Sequence, residues 1–144
     1  MSEKQYLAVI DRIEKAEIAF ANSVELETFV FAAMVMAAVD EHIDETEVTV
    51  IDDFALKHWK PGFGDWSAFF DRIDHRLKEF LFPQGLHLNP KEQHKRFLLE
   101  ILPGLQPQQQ KALLSLMKEV MDADGIREAT EVSLLVEVAQ KLGE

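Results

Sequence analysis

Apolar positions recur at helical spacing along almost the whole chain, and no stretch alternates with the period of a strand. Leu7, Ile10, Ile13 and Phe20 interleave with Glu14 and Glu17, which predicts a helix over residues 2–20. Asn22 or Ser23, with Glu25 close behind, opens a second helix. That helix runs through Phe29 to Val39 and is apolar on nearly every side, so it is expected to be the central buried helix. Asp44-x-x-Glu47 is a capping pattern that starts a third helix, ending near His58, and Pro61-Gly-Phe-Gly64 breaks the chain. Asp65 caps a fourth helix over 66–82, with Phe69, Phe70, Ile73, Leu77 and Phe80 facing inward. Asn89-Pro-Lys-Glu92 starts a fifth, which stops at Pro103-Gly104. Pro107 opens a sixth, rich in Leu and Met, and a seventh runs from near Glu128 to Leu142. The fold class is all-α, a bundle of about seven helices.

Two stretches of this pattern echo each other. Asp40 and Glu47 stand seven apart, as do Asp124 and Glu131, and Thr-Glu-Val closes both (Thr46 to Val48 and Thr130 to Val132). The offset of 84 residues also places Ala55 on Ala139. The chain reads as one domain, 1–144, with an internal repeat over about 24–58 and 108–142. Each unit is a helix–turn–helix with a carboxylate at either end of the turn.

The helical period puts those carboxylates on core-facing stripes. Phe29, Ala33, Met36 and Asp40 share one stripe, and Glu47, Ile51, Phe54 and His58 another. The second unit repeats this with Leu113, Met117, Val120 and Asp124, then Glu131, Leu135, Val138 and Leu142. Two readings follow. In the first, the acids are structural: Glu47 completes a capping box with Asp44, Asp40 and Asp124 bond turn amides, and Gly125 supplies a positive φ. In the second, Asp40, Glu47, Asp124 and Glu131 converge on a hard divalent cation. Asp122, Asp124, Gly125 and Glu131 match positions 3, 5, 6 and 12 of a calcium-binding loop, but Val120 stands at position 1, where it cannot ligate. An ordinary calcium hand is therefore disfavoured against a weaker shared site for Ca, Mg, Mn or Zn.

Charge sharpens the picture. The chain carries a net charge of −11, which argues against general nucleic-acid or anionic-membrane binding. Residues 40–53 hold seven acids and no Lys or Arg, and residues 119–137 hold six acids and only Arg127. The middle, 57–96, carries eight Lys or Arg and four of the five histidines. There is no cysteine, no signal-peptide pattern and no apolar run long enough to span a bilayer, so a cytoplasmic protein is expected.

Val39-Asp40-x-x-Ile43-x-x-x-Glu47 and Ala123-Asp124-Gly125-x-x-x-x-x-Glu131 resemble the paired A-D-G-x-I-x-x-x-E motif of the TerB-like tellurite-resistance family. The resemblance covers essentially the whole chain. It departs at Glu41, where the family has glycine, and at Arg127, where an apolar residue is usual. The resemblance implies an all-helical, non-catalytic module of bacterial stress systems, including tellurite and chemical-stress resistance. It would act through an acidic surface on a protein partner and a divalent cation, with Asp40, Glu47, Asp124 and Glu131 as site residues. The alternatives are a carboxylate-based metal-dependent enzyme and a degenerate calcium sensor. No histidine has metal-type spacing: His42 reads as a turn residue and His58 as a partly buried helix end. Trp59, Phe63, Trp66, Phe69 and Phe70 read as a satellite core, or as a partner surface if exposed.

Overall fold

The computed structural model describes residues 3–38, 44–85, 89–123, 125 and 129–142. Seven α-helices lie among them: α1 (Glu3–Asp11), α2 (Ser23–Ala38), α3 (Glu45–His58), α4 (Trp66–Leu81), α5 (Pro90–Glu100), α6 (Pro107–Asp122) and α7 (Ala129–Lys141). Single 3-10 turns sit at Pro61–Phe63, Pro83–Gly85 and Leu102–Gly104. The described residues contain no strand.

Local chemistry sets the helix starts. Asn22 Oδ1 accepts the Glu25 amide at 3.1 Å, and Glu25 reaches back to the Ala21 amide at 3.0 Å. Asp44 accepts from the Thr46 amide at 2.8 Å and from the Thr46 hydroxyl. Asp65 accepts from Ser67, Asn89 from Glu92, and Gln106 and Gln109 close a reciprocal box. Each cap satisfies amides that the first helical turn leaves without partners.

The helix expected over 2–20 ends at Asp11, and residues 13–20 carry no regular structure. Tertiary contacts set this path. The segment starts on α1, which packs against α7, and must deliver Phe20 to the joint of α2 and α3. Tertiary partners replace the lost helical bonds. Ala16 N–H donates to Ser115 Oγ at 3.1 Å, Lys118 Nζ to the Ile13 carbonyl at 3.4 Å, and Lys60 Nζ to the Phe20 carbonyl at 3.1 Å. Buried Ser115 in α6 is thereby explained as the receptor for this strap.

Helix α2 is the centre. From Phe29 to Ala38 every residue except Met34 is buried, and the helix packs against α3, α4, α6 and α7. Helix α6 is its principal neighbour but keeps a polar face, with Glu119 exposed. Val24, Glu25, Thr28 and Phe29 at the start of α2 share a groove with Gly104, Leu105 and Gln109 at the start of α6. The two helices therefore run in the same direction. Each has 16 residues, about 24 Å, so Ala38 and Asp122 point to the same end of the bundle.

The basic middle segment fastens the outer helices. Arg72 Nε meets Glu27 Oε1 at 2.8 Å, and Arg76 lies 4.2 Å from the centroid of the Phe31 ring. Arg96 donates to the Phe80 carbonyl at 2.6 Å while covering the Phe80 ring at 4.6 Å. The aromatic cluster at the α3–α4 joint is not the satellite core expected from the sequence but an edge of the main core. Phe63 and Phe69 are buried, and Trp59, Trp66 and Phe70 are half-buried around them.

Candidate functional site

Helices α3 and α7, each with a buried glutamate in its first turn, follow α2 and α6 in the chain. Val50 of α3 shares a groove with Lys118, Glu119 and Asp122 of α6, which places the first turns of α3 beside the end of α6. Helix α7 packs on α6 and also on α2.

Glu47 and Glu131 are the described members of the predicted site. Each occupies the first turn of its helix, and they are 3% and 1% exposed. Behind Glu47 the buried stripe continues through Ile51 and Ala55; behind Glu131 it continues through Leu135, Val138 and Ala139. A first-turn acid that serves only as a dipole partner ordinarily faces water, whereas these two are buried at the heads of their helices. Asp40 and Asp124, the other two predicted ligands, lie outside the described residues, as do His42 and Arg127. Among the described residues no three of His, Asp and Glu gather closely enough to hold a metal ion.

The turn after α6 shows one feature of the structural reading. Gly125 has φ +77°, and its amide donates to the Asp122 carbonyl at 3.1 Å. A side chain is strained in that left-handed region, so glycine is the natural residue there. Asp44, capping α3 in the first unit, belongs to the same reading.

One histidine without metal-type spacing is nonetheless buried. His94 on α5 is only 5% exposed, with Nδ1 3.4 Å from Glu137 Oε2 on α7, and its Nε2 is buried without a hydrogen bond among the described residues. The signal was available: His94 stands three and seven positions before Phe97 and Ile101, on one buried stripe. Burial lowers its pKa from the ordinary 6.5, and the Glu137 carboxylate only partly opposes this. A folded-state pKa below the unfolded value means that the unfolded chain takes the proton first as pH falls. His94 therefore withdraws stability below about pH 6.5 and has no such effect well above it. Thermal melts at pH 7.5 and 5.5 should show a larger loss for the wild type than for His94→Gln. His58, half-buried between Phe20 and Phe54, is lowered for the same main reason and stays in both proteins.

An all-α bundle in which α3 and α7 each carry a buried glutamate in the first turn defines a helical module. The family model described as Tellurite resistance protein TerB matches residues 25–143. The chain belongs to this tellurite-resistance family. No curated protein and no solved structure was found to match it. Among the described residues no helix is long and apolar enough to cross a membrane.

Proposed function

We propose that the chain is a non-catalytic stress-response module of the TerB family, acting in the cytoplasm through the acidic end of its bundle. That end binds a protein partner and, through Asp40, Glu47, Asp124 and Glu131, a divalent cation. The observation that carries the reading is the burial of Glu47 and Glu131 in a chain of this family. Two carboxylates withdrawn from water at the heads of α3 and α7 suit charge neutralisation by a bound cation better than solvent-facing capping. Oxygen ligands favour Ca, Mg or Mn, with Zn the comparison. Asp44 and the positive φ of Gly125 support a purely structural role for the turns, and the same experiment decides between the two.

A site with few neutral ligands belongs to the weak calcium class, with Kd around 10⁻³ M. At about 10 mM cation it would stabilise the fold by about 1.4 kcal/mol, or roughly 3–6 °C in Tm for a chain of this size. The control is monovalent salt at matched ionic strength, because screening also stabilises a chain of net charge −11. Glu47→Gln combined with Glu131→Gln should abolish the increment above that control. Equal melts in divalent and monovalent salt, with calorimetry giving no binding heat, would remove the cation from the proposal.

A further inference from the structure

Away from the acidic turns, helices α3 and α4 leave a groove of about 550 Å³ between them, lined by Asp52, Leu56, Trp66, Ser67, Phe70 and Asp71. Its floor is apolar. Leu56 is 59% exposed, and the half-buried Trp66 and Phe70 rings meet edge to face with centroids 4.8 Å apart. Scattered apolar residues on a surface are ordinary; a leucine and two aromatics lining one groove are not.

The walls carry uncompensated charge. Asp52 and Asp71 are exposed on opposite helices, and neither pairs with a cation among the described residues. The neighbouring bases are committed elsewhere: Lys57 to Glu17 at 2.5 Å, and Arg72 to Glu27 at 2.8 Å. Asp52 is already partly desolvated, and adjacent Asp53 adds to the cost of its charge, so its carboxyl is held above the usual range. A cation arriving over the groove relieves that cost.

We propose that this groove docks a basic amphipathic helical segment of a partner protein, with its apolar stripe on Leu56, Trp66 and Phe70 and its Lys or Arg side chains over Asp52 and Asp71. Charge complementarity selects this occupant. An anionic membrane surface is repelled by the walls, and a second copy would bring the same acids against them. A helix seated between two helices by residues at i, i+3 and i+4 is an established mode of peptide recognition. The inference rests on the reading of the chain as a partner-binding module and adds the α3–α4 face to the acidic end as a docking surface.

The test uses the full chain carrying Trp59→Phe, which leaves Trp66 as its only indole. The probe is a synthetic 18-residue peptide of Leu and Lys with leucines at helical spacing. Controls are the same composition with the stripe scrambled, a Glu-for-Lys version, and zwitterionic lipid vesicles. Trp66 fluorescence should report binding of the striped basic peptide alone. Asp52→Asn with Asp71→Asn should weaken it about 3- to 10-fold, as expected for two rim charge pairs. Leu56→Ser, at an exposed position that should leave the fold intact, should weaken it about tenfold or more. Equal binding of the scrambled peptide, a response to vesicles alone, or groove variants within twofold of the parent would overturn the proposal. So would peptide binding lost in Glu47→Gln with Glu131→Gln, which would leave the acidic end as the docking surface. Failure here with cation-dependent melting intact would remove the groove and leave the broader function standing.

Discussion

Phe20→Ala is expected to cost about 3–5 kcal/mol of folding stability, although position 20 lies outside the region that matches the family model. The ring is 1% exposed. It meets Phe29 at 4.9 Å, His58 at 5.0 Å and Phe54 at 5.9 Å, all near edge-on. Truncation removes the buried apolar area and leaves a cavity whose walls belong to two packed helices, so little collapse is available. Domains are typically stable by only 5–15 kcal/mol, so this one residue stands for roughly a third of the total. Urea titration should give a lower midpoint at an unchanged slope. A loss under about 1 kcal/mol would mean that the strap over 13–20 does not dock in solution, and the account of its path would fail.

The second large effect comes from the opposite error, too much side chain. Ala32, Ala33 and Ala37 in α2 are completely buried. Alanine at these positions lets neighbouring helices approach the α2 backbone closely. Ala33→Leu forces extra carbons into that space, which should cost about 1–3 kcal/mol, or roughly 2–12 °C in Tm. Val24→Leu is the internal control: it lies on the same helix, 68% exposed, and should be nearly neutral. If the two substitutions behave alike, α2 is not the close-packed axis described above.

The sequence was most readable where structure depends on adjacent residues. Asp44, Asp65 and Asn89 cap the helices expected of them, because a capping side chain reaches only two or three residues along its own chain. The unbroken apolar run from Phe29 announced the buried helix for a similar reason: no polar face means no solvent face. Residues 13–20 keep helical spacing at Ile13, Glu17 and Phe20, yet their path is set by partners on α6 and beyond α3, which local spacing does not reveal. Within the candidate site, the stripes predicted the burial of Glu47 and Glu131. Whether those carboxylates join Asp40 and Asp124 around one ion depends on packing between units far apart in sequence, and both aspartates lie outside the described residues. The α3–α4 groove was legible only as an aromatic cluster, since the exposure of Leu56 and the engagement of Lys57 and Arg72 are tertiary facts.

The same-direction packing of α2 and α6 has a consequence for the chain as it is made. Antiparallel neighbours joined by a short loop can associate as soon as the second helix leaves the ribosome. Here α6 follows α2 at a distance of 84 residues, with three other helices between them. At about 5–20 residues per second, that interval is roughly 4–17 s. Throughout it the most apolar helix of the protein is already synthesised while its main partner is not. The nascent chain thus passes through a stage in which α2 must be sheltered by α3 and α4 alone, and that stage is when it is most exposed to aggregation or to capture by a chaperone.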